Sequence, residues 1–349
     1  MAAAHERMIP WTASLELGLG CNLRCVHCYN FDRSGPRPAG RELSAPEWHD
    51  VVAQLRASGC HQASLTGGEP TIHPAFFPLL EQTAALGMAA SVVSNGTRLT
   101  DAAARRLAEF EHVVDVGLSL YGVEAPTHDT VTGLSGSFER TLGAARRLRA
   151  AGVPVTLKFT IMDLNVREAG RWPDWAEAEG FFWEVNPYLH PRHDGDPGVT
   201  ARRPSVEERR AAYRGGLRRT LPRIDEPSDL ICNCARSNCA VSAAGDVTPC
   251  IAVPMPCGNV RERPFAEIWR DSPELNRIRA LKTQDFRQCA PCPLRNTCRR
   301  SPGAAYVLTG RYTGVDPWIC EDAQIVRDVL DESTRNERAG SWVTNMNHI

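Results

Sequence analysis

The sequence predicts an α/β chain: an incomplete (β/α)6 barrel of the TIM type, followed by a small cysteine-rich domain. Three observations predict it. Short β-rich runs alternate with amphipathic helical stretches up to about residue 190. From about residue 228 the pattern becomes short, Cys-rich and loop-like. Nine of the 13 cysteines lie between 232 and 320, three lie near the N-terminus, and only Cys60 stands apart.

The expected strands are Ala13–Leu19, Gln62–Leu65, Ala90–Ser94, Val114–Leu120, Val153–Ile161 and Phe182–Val185. Between and after them run helical patterns over Ala45–Ser58, Phe76–Leu86, Ala102–Phe110, Phe138–Ala151 and Glu168–Glu179. Ser44 with Glu47 forms a capping box ahead of the first. Strand–helix–strand repeats imply right-handed crossovers and a parallel sheet. A doubly wound sheet shares this periodicity, and either fold places its chemistry at the C-terminal strand ends. His190–Gly198 reads as a long loop. The Arg-dense stretch Ser205–Arg219 reads as a solvated helix face, with a groove for an acidic peptide as the alternative. The expected domains are a barrel over 12–200, a linker and helix over 201–227, a Cys-rich domain over 228–325, and a C-terminal helix and tail over 326–349. The tail helix is expected to end near Arg335 and give way to a frayed polar end.

The 349 residues carry a net charge of −1, which makes no electrostatic case for nucleic acid or membrane as a partner. Lys occurs only at 158 and 282, read as a codon or lineage bias. No stretch approaches membrane-spanning length, and Met1–Gly20 lacks the pattern of a signal peptide. A cytoplasmic chain this rich in cysteine, with an odd count, is expected to bind metal rather than form disulfides. Cys60 has no partner pattern and reads as a small buried hydrophobe.

Cys21, Cys25 and Cys28 follow directly on the first expected strand. Three thiolates on one loop can ligate three irons of a cubane, leaving the fourth iron open to an amine and a carboxylate. Structural zinc would want a fourth ligand, and His27, between two of the cysteines, is expected to point elsewhere. The second strand ends in Thr66-Gly67-Gly68-Glu69-Pro70, the third in Ser94-Asn95-Gly96-Thr97, and the fourth in Ser119-Leu120-Tyr121-Gly122.

This arrangement resembles the radical S-adenosylmethionine (SAM) superfamily over essentially the whole chain. The resemblance implies a [4Fe-4S] cluster on Cys21, Cys25 and Cys28 that cleaves SAM to a 5′-deoxyadenosyl radical. It also implies that Gly67, Gly68 and Glu69 receive the SAM amino group. Ser119 and Arg140 match positions that hold its carboxylate, and Asn95 and Thr66 lie near ribose and methionine. An ordinary helix-surface role is the alternative for Arg140. Many relatives have Asp where Tyr121 sits, which makes Tyr121 a candidate substrate contact.

Cys289, Cys292, Cys298 and Cys320 resemble the second auxiliary cluster of the SPASM extension found in peptide-modifying members. Cys232, Cys239 and Cys250 resemble the ligands of its first auxiliary cluster. Relatives supply a fourth ligand shortly after the position of Cys298, where this chain has Arg299-Arg300-Ser301-Pro302. Cys234 and Cys257 are the candidates to replace it; without either, the site is open, smaller or absent. One or two auxiliary iron–sulfur clusters are thus expected, with zinc ribbons the competing reading.

Hydrogen abstraction from a ribosomally made peptide, giving a cross-link, thioether or oxidation, is the first functional expectation. With the barrel starting within about 12 residues of Met1, a separate leader-recognition protein is expected beside the precursor peptide. A flavodoxin- or ferredoxin-type reductant completes the expected partners. The alternatives are a small molecule or tetrapyrrole, with His190, Arg192 and His193 as anion contacts or plain loop residues, and a non-catalytic iron–sulfur or zinc scaffold.

Overall fold

A computed structural model describes residues 2–31, 40–221 and 230–346, with side chains up to Glu332. The last part of the expected linker, 222–227, the next two residues of the expected second domain, and 347–349 lie outside the described residues.

Six strands match the expected ones closely: β1 Thr12–Glu16, β2 Gln62–Thr66, β3 Ala89–Ser94, β4 Val113–Ser119, β5 Val155–Thr160 and β6 Phe182–Asn186. After a short α1 (Ala2–Glu6), the helices α2 (Ala45–Ala57), α3 (Phe76–Ala85) and α4 (Asp101–Ala108) return the chain between strands. They are followed by α5 (Ala125–Thr132), α6 (Ser137–Ala150), α7 (Val166–Ala169), α8 (Trp172–Ala178) and α9 (Val206–Arg214). Ser44 and Glu47 form the expected capping box on α2. The sequence gives no warning of α5, because its Thr- and His-containing run lacks an apolar stripe.

Strand alternation builds two unlike faces. Ala13, Leu15, Ala63, Leu65, Val92, Val116, Leu118 and Leu157 are fully buried under the helices, with Trp48 and Leu55 among them. The opposite positions carry Ser14, Ser64, Ser91, Gly117, Thr156 and Lys158, small or polar residues that leave the inner face open. A closed TIM barrel fills its interior with apolar layers. This one does not.

The C-terminal segment continues the same sheet. β7 (Asn238–Val241) pairs in parallel with β1, Thr12 opposite Asn238, and β8 (Val247–Thr248) pairs antiparallel with β7. The described strands therefore form one sheet in the order β6-β5-β4-β3-β2-β1-β7-β8. Helices α10 (Phe265–Asp271), α11 (Pro273–Ala280), α12 (Pro302–Thr309) and α13 (Pro317–Met346) complete the chain. α13 runs past the expected end near Arg335, since only Gly340 disfavours helix there and one Gly costs about 1 kcal/mol.

The arginines around α9 are only in part a solvated face: Arg214 and Arg219 are exposed, while Arg209 and Arg210 are engaged by acidic side chains of this chain. Arg209 is buried against Asp322, Arg210 pairs with Asp328 at 3.0 Å, and Arg214 pairs with Glu332 at 2.8 Å. Arg203 binds Asp316 at 2.6 Å just ahead of α13. The acidic partner is the chain's own C-terminal helix, far away in sequence, which is why local charge reading missed it.

Candidate active site

Cys21, Cys25 and Cys28 sit partly exposed on the loop after β1. What holds this loop is backbone packing from the end of β2. The amides of Gly68 and Glu69 donate to the carbonyls of Gly18 and Gly20 at 2.7 and 2.8 Å. A Cβ on Gly68 would stand 2.2 Å from the Gly20 oxygen, and Gly67 has φ +123° with Gly18 oxygen 2.7 Å from its would-be Cβ. Both positions thus require glycine. Glu69 is buried and its carboxylate faces inward, accepting from Ser94 Oγ at 2.7 Å, Asn95 N at 2.7 Å and Thr71 N at 3.1 Å. Burial raises its pKa. Glu69 therefore ties the end of β2 to the end of β3, and Thr66, buried, accepts from the Leu17 amide.

Asn95 reaches the triplet directly. Its side-chain amide donates toward Cys21 Sγ at 3.8 Å and to Asn22 Oδ1 at 3.1 Å. Asn22 in turn donates to Thr97 Oγ1 at 2.7 Å, which lies in an open groove also lined by Arg140. Arg140 itself is exposed on α6. Ser119, at the end of β4, hydrogen-bonds the Tyr121 hydroxyl. Tyr121 lies close to all three cysteines; burial and then the neighbouring Cys25 raise its pKa. His27 points inward, as expected, meeting Tyr121 edge-on. Burial, then His128, lowers its pKa to about 4.

Beside this loop opens a cavity of about 380 Å³ on the polar inner face. His27, Tyr29 and Tyr121 line it, together with Ile251, Ala252 and Gly303 of the C-terminal segment. Lys158 and Glu184 form an ion pair in its wall. The loop carrying His190 and His193 crosses it, with His193 N donating to Tyr29 O at 2.8 Å. Burial, then His190, lowers His193 to about 4, and Arg192 is held by Asp194 and Asp196.

The distal cysteines fall into two groups. Cys298 and Cys320 each have Cys289 and Cys292 as close electrostatic neighbours, so the four expected second-cluster residues do come together. The other group differs from expectation. Cys232, Cys234 and Cys250 meet one another, with the hydroxyl of Tyr312 2.7 Å from Cys232 Sγ. Cys239 is not among them: on β7 its side chain turns into the core, 3.8 Å from Thr12 O and near Cys60. Strand alternation decides this, since Cys239, opposite Ala13, lies on the helix-covered face of the sheet and not on its open inner face. Cys257 also stands apart, its thiol 3.2 Å from Met255 O and beside Ser272. Tyr312 escaped sequence reading because nothing in its local pattern marks it.

Among the described residues no three His, Cys, Asp or Glu side chains close around a single metal ion. The thiol groups have the softness that iron–sulfur clusters require: three partly exposed at one end of the cavity, four together near α13, and three near Tyr312, one short of a closed cubane.

The family model described as Radical SAM superfamily matches residues 15–169, and that of the iron-sulfur cluster-binding domain SPASM matches 232–293. The chain is 28% identical over 341 residues to the AdoMet-dependent heme synthase of Methanosarcina barkeri, covering 89% of this chain and 95% of that one. It is 30% identical over 329 residues to the PqqA peptide cyclase of Streptomyces rochei, covering 87% of each. Streptococcus suis SuiB, solved bound to its precursor peptide SuiA, has the same fold, with a TM-score of 0.64, 17% identity, and coverage of 87% of this chain and 74% of that one. No helix among the described residues is long and apolar enough to cross a membrane.

Proposed function

The chain belongs to the radical SAM superfamily and carries the SPASM iron–sulfur extension, and we propose that it matures a ribosomally made peptide. In this reading Cys21, Cys25 and Cys28 hold the SAM-cleaving cluster, with Gly67, Gly68, Thr66, Asn95, Ser119 and Arg140 around SAM. The cluster and SAM, when bound, supply a 5′-deoxyadenosyl radical able to take a hydrogen atom from an unactivated C–H bond.

The protein's own contribution is position. Glycine backbones at 67 and 68 bring the end of β2 against the cysteine loop, and Glu69 locks β2 to β3. Gly67, Gly68 and Glu69 would then receive the SAM amino group, the Glu69 carboxylate being held in place by Ser94, Asn95 and Thr71. His27 and Tyr121 form the wall between the triplet and the cavity, Tyr121 being placed to touch substrate. The His190–His193 loop lines the chamber and helps position what binds there.

The observation that carries the reading is the chamber itself. Its lining brings together His27 of the triplet segment and Ile251 and Ala252 after Cys250, so a substrate there would lie beside both the radical source and an auxiliary metal site. About 380 Å³ suits one side chain and its neighbours in an extended peptide. The names of the relatives support a peptide: one is a peptide cyclase, and SuiB was solved with a precursor peptide. The remaining parts of the reading are a separate leader-recognition protein, a flavodoxin- or ferredoxin-type reductant and a reducing cytoplasmic setting that keeps the thiols free.

The similarity to a heme synthase favours a second substrate, a tetrapyrrole. Against it, the cavity imidazole of His193 is neutral at pH 7 and Arg192 is already paired, so neither offers a free cation to a carboxylate. Anaerobic reconstitution with dithionite and SAM, followed by mass spectrometry on a neighbouring-gene peptide and a porphyrin panel, separates the two. A mass change in the peptide supports maturation. Change in a porphyrin alone overturns it, and no 5′-deoxyadenosine from any mixture leaves only a scaffold.

A further inference from the structure

Cys232, Cys234 and Cys250 bring three thiols to a place where a cubane needs four protein ligands to be closed. The chain segment in which the family resemblance implies a fourth cysteine still passes this place. Gly303, at the start of α12, packs so tightly on the turn after Cys250 that a Cβ there would lie 1.9 Å from the Ala252 oxygen. What the segment contributes is Arg300. Its guanidinium stacks 4.7 Å from the Phe286 ring centre and donates to the carbonyls of Tyr312 and, at 2.9 Å, Gly314. Arg300 thus fixes the turn that carries Tyr312.

The Tyr312 side chain enters the thiol group from that turn. It is 7% exposed, and its hydroxyl lies against Cys232 Sγ at 2.7 Å with Cys234 beside it. A buried tyrosine ordinarily takes an oxygen partner, as Tyr213 does with Asp322 at 2.9 Å. The partners of Tyr312 are sulfur.

We propose that Tyr312 is the fourth protein ligand of the first auxiliary cluster, its phenolate oxygen completing the set Cys232, Cys234 and Cys250. The proposal rests on the iron–sulfur reading of this segment. As the iron–oxygen bond forms, the phenol proton leaves to solvent, and no change in oxidation state is required. The missing cysteine is replaced in space by an oxygen ligand 14 residues beyond Cys298, held by the arginine that stands near the lost position.

The test uses the full chain with Cys21, Cys25 and Cys28 changed to Ala, so that only auxiliary iron is present. After anaerobic reconstitution, resonance Raman excitation into the visible band is expected to enhance tyrosine ring modes through phenolate-to-iron charge transfer. Tyr312→Phe keeps the ring and is expected to abolish those modes. Tyr312→Cys is expected to restore a four-thiolate site, with parental iron content and no phenolate modes. Auxiliary iron that is partly lost in Cys234→Ala but shows no enhanced ring modes in the parent, or modes that survive in Tyr312→Phe, would overturn the ligand assignment alone. Auxiliary iron that is absent, or that Cys234→Ala leaves unchanged, would overturn the iron–sulfur reading of this segment beneath it.

Discussion

The ring of His27 meets the ring of Tyr121 edge to face, with centroids 4.4 Å apart. One residue belongs to the cysteine loop and the other follows β4, so this contact joins the triplet to the far side of the inner face. Tyr121 is further fixed by Asn165, whose side-chain amide donates to its carbonyl at 3.0 Å, and by its amide donating to His128 Nδ1 at 3.0 Å. Removing the hydroxyl should leave this frame intact. Tyr121→Phe is expected to bind iron as the parent does but to lose roughly tenfold in substrate turnover, the worth of about one hydrogen bond to a buried polar group. Iron content and the initial rate of product formation, measured side by side, check it.

Gly68→Ala forces a methyl group into the Gly20 carbonyl. It should destabilise the chain by about 1–3 kcal/mol and lower iron uptake at the triplet, because the cysteine loop must shift. Gly87→Ala is the control: φ is +63° but the space around it is open, so a cost of about 1 kcal/mol with normal iron content is expected. Thermal unfolding and iron analysis distinguish the pair.

Cys234→Ala and Cys239→Ala should separate cleanly. The first removes a thiol from the group around Tyr312 and is expected to lower auxiliary iron. The second removes a core thiol and should keep full iron content, at a stability cost of about 1 kcal/mol for a small buried side chain. Iron and sulfide determination on both variants decides which cysteine is a ligand.

The ion pairs of Arg209 offer a stability test away from the cavity. Arg209 and Asp322 are both buried, and Tyr213 donates to the same carboxylate. Arg209→Gln leaves Asp322 without its cation and should cost about 3–5 kcal/mol. Urea denaturation of the iron-free chain measures this directly.

The buried imidazoles make a prediction about pH. Burial is the first cause that lowers His128 and His193 from 6.5 to about 4. The unfolded chain takes up protons at these sites below pH 6.5 while the folded chain does not. Their contribution to stability is therefore complete above pH 6.5 and is lost as pH falls toward 4. Each imidazole adds up to about 1.4 kcal/mol per pH unit to the slope across that window. Urea midpoints measured from pH 7.5 down to 4.5 should fall accordingly, and His128→Asn should make the decline shallower.

Much of the barrel is legible in the sequence, because alternation such as Ala13, Leu15 and Ala63, Leu65 is a local signal that survives without tertiary knowledge. The triplet and Gly67–Glu69 are equally local. What could not be read depends on contacts between distant segments. Whether Cys232, Cys234, Cys239, Cys250 and Cys257 share a site depends on the direction each side chain takes after folding. Cys239 turns into the core because β7 docks on β1, and no spacing rule contains that fact. The α9 arginines pair with residues about 110 positions later, so their charge pattern alone suggested solvent.

That docking of β7 on β1 also bears on how the molecule is made. Thr12 waits for Asn238, 226 residues later in the chain, before its second edge is hydrogen-bonded. At translation speeds of about 5–20 residues per second, the delay is on the order of ten to forty-five seconds. During that time the strand leading into Cys21 has an unguarded side, open to pairing with another nascent chain. A ribosome-bound fragment ending before residue 238 should therefore be the form most prone to aggregate, and metal loading best suits the released, completed chain.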